Sequence, residues 1–220
     1  MLFGEDCVKL KTMRNLPMRF LAMAAALLLA APLAGRAAEG SLDPAARPIE
    51  TFYAALVDTM KHGQQLGLQG RFRQLTTVVD EAFNIPAMAQ LSVGPSWASV
   101  SEVDKNAIIG AFERMTVAGY AKNFAKFEGE QFAVDPVVKA RNEDKIVETK
   151  LIGGDHSIIP FNYRMRLTDG KWKIVDVYLN GYVSQLALRR ADFSSTIASS
   201  GPSGLVKKIN ELVDKQMTGG

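Results

Sequence analysis

After residue 40, apolar residues recur with two different spacings in different parts of the chain. Between residues 43 and 127 apolar side chains recur every three or four positions, which is the period of an amphipathic helix. This spacing, with its Pro, Gly and Ser boundary residues, predicts helices over 43–63, 72–84, 86–95 and 101–127. The same period returns after residue 180 and predicts two more helices, over 182–198 and 202–217.

Between the helical segments the period changes to two, which is typical of half-buried strands. It predicts four strands, over 132–138, 145–152, 157–168 and 171–179, and the turn signals between them indicate an antiparallel meander. In the fourth strand, both faces carry apolar residues. We expect Trp172, Ile174 and Tyr178 on one face and Val175, Val177 and Leu179 on the other. Helices, then strands, then helices predict an α+β domain with helices against an antiparallel sheet.

The first 37 residues differ from the rest. Residues 20–34 form an uncharged apolar run after four basic residues, and small residues follow it, which is the pattern of a secretory signal peptide. We expect cleavage near Ala37, a single domain over 38–220, and a true start at Met13 or Met18. An uncleaved membrane anchor is the alternative interpretation.

Removal of this leader changes the charge and the cysteine count. The 26 Lys and Arg lose five and the 23 Asp and Glu lose two, so the mature chain has 21 of each and is formally neutral. Cys7, the one cysteine of the sequence, lies in the leader. Composition therefore gives no support for nucleic-acid binding or for a disulfide framework.

The expected mature chain carries few groups suited to catalysis. His62 and His156 have no partner at metal-ligand spacing, so we expect both on the surface and no metal or other cofactor. No nucleophile motif or phosphate-binding glycine pattern occurs. Asp176, between apolar strand residues, is the candidate base if the protein is an enzyme. A structural alternative is that it caps a backbone or pairs with an arginine: Arg164, Arg189 or Arg190.

The chain from Ile85 to Lys215 resembles the MlaC family of periplasmic lipid-shuttle proteins, also called toluene-tolerance or ABC-transporter auxiliary proteins. The motifs that carry the resemblance are residues 93–97 (VGPSW), 162–166 (NYRMR) and 170–177 (GKWKIVDV), in that order. Two departures stand out. Asn180-Gly181 occupies the place of the usual Glu-Gly, and Arg189-Arg190 that of the usual Tyr-Arg. Residues 180–193 are more similar to the hopanoid-associated HpnM branch.

The resemblance implies a cone-like, NTF2-like arrangement, in which helices cover a curved four-stranded sheet and enclose an apolar cavity. It implies a periplasmic, non-enzymatic carrier of a phospholipid or hopanoid. It also implies as partners an inner-membrane ABC transporter or RND-type exporter complex and an outer-membrane lipoprotein. Two other classes remain open: a periplasmic adaptor without a ligand, and an enzyme acting on a hydrophobic small molecule.

A lipid carrier needs an apolar interior, because each methylene exposed to water costs about 0.8 kcal/mol. Methionine adapts to chains of different shape, and Tyr or Trp can place a polar tip at the mouth. We expect these side chains, as apolar or amphipathic residues of the predicted helices and strands, to line the cavity: Met88, Leu91, Trp97, Phe112, Met115, Tyr120, Phe124, Phe161, Tyr163, Met165, Trp172, Tyr178, Tyr182 and Leu186. The alternative for each is ordinary core packing.

Overall fold

The computed structural model of the protein describes residues 42–218. Its helices are α1 (Arg47–Lys61), α2 (Gly63–Ala82), α3 (Ile85–Val93), α4 (Glu102–Asn123) and α5 (Gln185–Met217), with a 3-10 helix (Gly94–Ser99) between α3 and α4. Its strands are β1 (Gln131–Arg141), β2 (Asp144–Ile152), β3 (Ile158–Thr168), β4 (Lys171–Leu179) and β5 (Val183–Ser184). The predicted signal peptide lies outside the described residues.

Several helix boundaries are set by local hydrogen bonds. The Ser101 hydroxyl accepts a hydrogen bond from the Asp104 amide (3.1 Å), which begins α4 at the predicted N-cap. The Asn84 side chain caps α3 in the same way through the Ala87 amide (3.1 Å). Helix α5 is interrupted at Gly201, whose φ of 67° is not helical, so it consists of two segments as predicted.

Helix α2 begins earlier than predicted and α4 ends earlier. The sequence predicts a turn around Gly67 and Gly70, between the helices over 43–63 and 72–84, yet α2 starts at Gly63 and is broken at Gly67, where φ is 60°. Gly67 therefore does interrupt the helical conformation, but it separates two helical segments and does not form a turn. Helix α4 was expected to reach residue 127 and ends at Asn123, because Phe124 leaves the helical conformation.

The sheet is an antiparallel meander in the order β1-β2-β3-β4-β5. The meander and its first four strands were predicted, but the sheet has five strands, since β5 pairs with the end of β4. The connecting turn holds Asn180 and Gly181 at φ of 53° and 80°. Asn-Gly is a hairpin signal, and the sequence prediction passed over it.

Strand β4 contains a bulge that changes which side chains face the helices. Arg164 pairs with Asp176 but Met165 pairs with Ile174, so β4 holds one extra residue. Val177 is opposite Tyr163, and both are buried on the face that carries the helices. The predicted division of β4 into two faces is thus wrong, because Ile174 and Val177 share one face across the bulge.

The helices pack on one face of this curved sheet. The short segment after α2 joins the two layers, since the Asn84 amide donates to the Ile174 carbonyl (2.8 Å) and Phe83 forms a bridge with Ile174. Helices α4 and α5 pack against each other, and α2 and α3 both pack against α4. A single apolar cluster fills the space between helices and sheet.

No helix among residues 42–218 is both long and apolar enough to cross a membrane.

Candidate functional site

The apolar cluster between helices and sheet is the candidate site, and most of the predicted lining residues lie in it. Nine of them are buried: Met88, Phe112, Met115, Tyr120, Phe124, Phe161, Tyr163, Met165 and Leu186. Leu91, Trp97 and Trp172 are half-buried and pack against the same cluster. Helices α3, α4 and α5, the 3-10 helix and strands β3 and β4 therefore bring these side chains together, although they come from distant parts of the chain.

Tyr178 and Tyr182 lie elsewhere. Tyr178 is opposite Asn162, on the face of the sheet away from the helices, where the Arg141 guanidinium donates to its hydroxyl (2.9 Å) and covers its ring. Tyr182 is 78% exposed in the turn before β5. The bulge in β4 explains why Tyr178 faces away from the helices, and the unpredicted β4–β5 hairpin explains why Tyr182 is exposed.

The cluster also contains aromatic rings that the sequence prediction did not include in the lining set. The ring of Phe52 lies 5.0 Å from that of Tyr120 and 5.2 Å from that of Phe83, both in edge-on geometry. Phe193 meets Phe112 edge-on at 6.4 Å. Phe52 and Phe83 fit the helical spacing of the predicted helices over 43–63 and 72–84, but periodicity alone cannot show that rings from α1, the end of α2 and α4 converge.

A small polar centre lies inside this apolar cluster. The Tyr53 hydroxyl is 2.6 Å from the Thr149 hydroxyl and donates to the Tyr163 hydroxyl (3.0 Å), while the Thr149 hydroxyl donates to the Phe161 carbonyl. Burial raises the pKa of Tyr53, Tyr120 and Tyr163 well above its usual range, and the mutual proximity of these phenols raises it further. All three therefore remain neutral at physiological pH, and the interior offers hydroxyl groups but no phenolate.

Asp176, the candidate base, forms hydrogen bonds that stabilise the start of α5. Its carboxylate accepts hydrogen bonds from the Ser184 hydroxyl (2.6 Å), the Leu186 amide (3.2 Å) and the Val177 amide (2.8 Å). Burial raises the pKa of Asp176, and these bonds oppose the increase. Ser184 in turn caps α5 through the Ala187 amide (3.0 Å). These contacts correspond to the backbone-capping alternative for Asp176.

The opposite face of the sheet is polar and carries a buried ion-pair network. Arg166 binds both carboxylate oxygens of Asp144 (2.7 and 2.9 Å), and Arg164 binds one of them. Asp144 is 3% exposed. Burial raises its pKa, but the hydrogen bonds from Arg166 and Arg164 outweigh that effect and lower it overall. This network joins the start of β2 to β3 and lies on the face away from the apolar cluster.

A cavity of about 430 Å³ lies at the β1–β2–β3 side of the sheet, bounded by the turn before β5. Asp135, Glu148, Lys150, Asn162 and Tyr182 contribute polar atoms to its walls. Its lining mixes charged and amide groups with apolar surface, which distinguishes it from the apolar cluster.

The two histidines are placed as surface residues. His62 ends α1 with its ring 2.9 Å from the Asp58 carbonyl, and His156 is exposed in the turn before β3. Within residues 42–218, no group of three His, Cys, Asp or Glu side chains is arranged to hold a metal ion.

Comparison with known proteins shows which family and which solved structure this chain is similar to. The model of the family described as MlaC protein matches residues 50–211, which is more than half of the chain. A phospholipid-binding protein from Ralstonia solanacearum, solved in complex with a phospholipid, has the same fold: the TM-score is 0.69 at 18% sequence identity, over 78% of this chain and 98% of that chain. No curated protein sequence matches the chain.

Proposed function

The chain belongs to the MlaC protein family, and on that premise we propose that it is a lipid carrier rather than an enzyme. It binds the acyl or polycyclic part of a lipid between its helices and its sheet. The observation that carries this proposal is the shared apolar cluster. The cluster collects Met88, Met115 and Met165 from α3, α4 and β3 at full burial, beside the aromatic rings described above.

The proposal follows from the free energy of lipid transfer. A dozen methylenes exposed to water cost about 10 kcal/mol, so a carrier must replace water with apolar side chains along the whole chain of the lipid. The three methionines suit this task because their unbranched thioether side chains can rearrange around cargo of variable shape. Uptake then separates the helical layer from the sheet, and the breaks at Gly67 and Gly201 allow helical segments to move independently.

The cargo is a phospholipid or a hopanoid. The structural neighbour from Ralstonia solanacearum was solved with a phospholipid, which supports the first class. The resemblance of residues 180–193 to the HpnM branch supports the second. The neutral hydroxyls of Tyr53, Tyr163 and Thr149 give the interior a polar point that either class can contact through an ester or hydroxyl group.

We place the carrier in the periplasm, exported by the signal peptide of residues 1–37. It moves cargo between an inner-membrane ABC transporter or RND-type exporter complex and an outer-membrane lipoprotein. A useful shuttle releases its cargo when it is docked, so release has to be faster at a partner than at a bare bilayer. Equal release rates to liposomes and to partner proteins would contradict the docking step.

Native mass spectrometry tests the binding function. The protein is purified from the periplasm of an expressing cell, its mass is measured under native conditions, and the ligand is extracted with solvent and identified. We expect one phospholipid or hopanoid per chain. A protein that is empty on isolation and still empty after incubation with liposomes would exclude the carrier function and favour the adaptor alternative.

A further inference from the structure

Two arginines of the described chain are equally buried but differ in their partners. Arg71 and Arg189 are each 8% exposed. The Arg71 guanidinium donates to the carbonyls of Ala121 and Gly63, both at 2.7 Å. In contrast, Nη2 of Arg189 is buried without a hydrogen-bond partner among residues 42–218. A buried charged donor without an acceptor is costly, so this arrangement points to an acceptor that arrives with a ligand.

The position of Arg189 associates it with the candidate site. It lies on the buried face of α5, three residues after Leu186 and four before Phe193, so the three side chains share one stripe of the helix. Phe193 meets Phe112 of the apolar cluster. On the next turn, the Ser194 hydroxyl donates to the Val93 carbonyl (3.0 Å) and fixes α5 against the end of α3. Arg189 is therefore a cationic group in the wall of the apolar cluster.

The charge on Arg189 persists at neutral pH. Burial lowers the pKa of Arg189 to about 10, and the nearby carboxylate of Asp192 opposes that decrease. Asp192 itself is exposed and its carboxylate binds Lys208. Arg189 thus stays protonated under physiological conditions, and Asp192 is engaged by a different cation.

We propose that Arg189 binds a phosphate oxygen of the headgroup of a bound phospholipid. This inference rests on the proposed lipid-carrier function and adds a specificity residue to it. Guanidinium is the side chain best suited to phosphate, because its planar array of donors can form two parallel charge-assisted hydrogen bonds. A phosphate at this place would accept a hydrogen bond from Nη2 of Arg189, which has no acceptor among residues 42–218, while the acyl chains extend along Leu186 and Phe193 into the apolar cluster. A lipid with the same chains and no phosphate gains nothing from Arg189.

The test compares two lipids and two variants of the full chain. Phosphatidylglycerol and diacylglycerol with identical acyl chains are offered in competition, and bound lipid is counted by native mass spectrometry. For the wild type we expect a preference for phosphatidylglycerol of about 10- to 100-fold, the range that a charge-assisted hydrogen bond supplies. Arg189→Gln should abolish the preference. Arg190→Gln is the matched control, since it removes the same charge from the adjacent, exposed position and should keep the preference.

A second measurement separates ligand binding from a structural role. Arg189→Met removes an unpaired buried charge, so the lipid-free variant should melt at the same or a higher temperature than the wild type. Phosphatidylglycerol should then raise its melting temperature no more than diacylglycerol does. A lower melting temperature of the lipid-free variant would show that Arg189 supports the fold, and would overturn the proposal.

Other outcomes are equally decisive. A preference that survives in Arg189→Gln, or that is lost equally in Arg190→Gln, would overturn the assignment of the headgroup to Arg189. Stabilisation by inorganic phosphate alone, without any preference between the two lipids, would show a free-ion site instead of a headgroup site. If the wild type bound neither lipid, the carrier function itself would fail, whereas equal binding of both lipids would refute only the role of Arg189.

Discussion

Two buried methionines on helices provide a matched test of the lipid-binding interior. Met115 of α4 is 0% exposed and belongs to the proposed lining, while Met60 at the end of α1 is 3% exposed and lies outside that set. In the lipid-free protein, replacement of either residue by alanine removes about three methylene-sized groups. The transfer loss of about 2.4 kcal/mol and a partly relaxed cavity give a destabilisation of about 3 kcal/mol for each variant.

The two variants should diverge once lipid is bound. An acyl chain beside Met115 can fill the space that Met115→Ala opens, and we expect it to restore about half of the lost stability, about 1.5 kcal/mol. By linkage, Met115→Ala then binds lipid about tenfold more tightly than the wild type does. Met60→Ala should show the same loss with and without lipid.

Thermal melts of delipidated and phospholipid-loaded protein, followed by circular dichroism, measure both effects. For a domain of this size 1 kcal/mol corresponds to about 2–4 °C, so each lipid-free variant should melt about 6–12 °C below the wild type. If lipid leaves the two variants equally destabilised, Met115 is ordinary core and the reasoning is refuted.

Three further predictions concern the frame around the site. Asp144→Asn should cost about 2–3 kcal/mol in urea unfolding at pH 7, at the low end for a buried ion pair because its arginine partners are partly exposed. Because the folded-state pKa of Asp144 is lowered, this stabilisation is present above about pH 4 and is lost as the pH falls through the lowered pKa. The unfolding free energies of wild type and variant should therefore converge in acid. A difference between them that stays constant with pH would contradict the ion-pair account. Asp176→Ala should destabilise by about 1–2 kcal/mol through loss of the hydrogen bonds at the start of α5, and amide exchange at Leu186 should accelerate, whereas unchanged exchange would refute the capping role. Gly63→Ala should destabilise by about 1–3 kcal/mol because its Cβ would lie 2.0 Å from the Ala125 carbonyl oxygen, while the control Gly110→Ala, whose Cβ would meet only the Arg114 guanidinium at 3.6 Å, should be stabilising by about 0.5–1 kcal/mol; equal effects in chemical denaturation would argue against the close approach.

The helices and the first four strands could be predicted because their signals are local. The apolar period identified β3 and its core residues Phe161, Tyr163 and Met165, all of which are buried. The Asp169-Gly170 turn, with φ of 50° and 74°, connects β3 and β4 as its sequence indicated. Each of these features depends on a few neighbouring residues and on one repeated spacing.

The bulge in β4 was not predictable in this way. It depends on how β4 pairs with β3, and the apolar residues next to Asp176 would occupy both faces of a regular strand, so alternation alone did not fix the register. The error carried over to Tyr178, which was assigned to the cavity and lies on the outer face. The two-residue strand β5 was missed because strand prediction relies on longer runs.

The lining residues illustrate a second limit. Composition and period correctly gathered Met88, Met115 and Met165 as buried apolar residues, but neither can distinguish a residue that touches cargo from one that only fills the core. Arg189 shows the converse, because a charged residue on a helix is normally exposed and only the packing of α5 against α3 reveals its burial.

Photo-crosslinking tests the location of the cargo most directly. A phospholipid that carries a diazirine midway along one acyl chain is loaded into the protein and activated by light, and the labelled peptides are identified by mass spectrometry. The carrier account predicts labels on α3, α4 and β3 side chains of the apolar cluster, with Met88, Met115 and Met165 among them. Labels concentrated at Asn162 and Tyr182, beside the cavity on the polar face of the sheet, would contradict it.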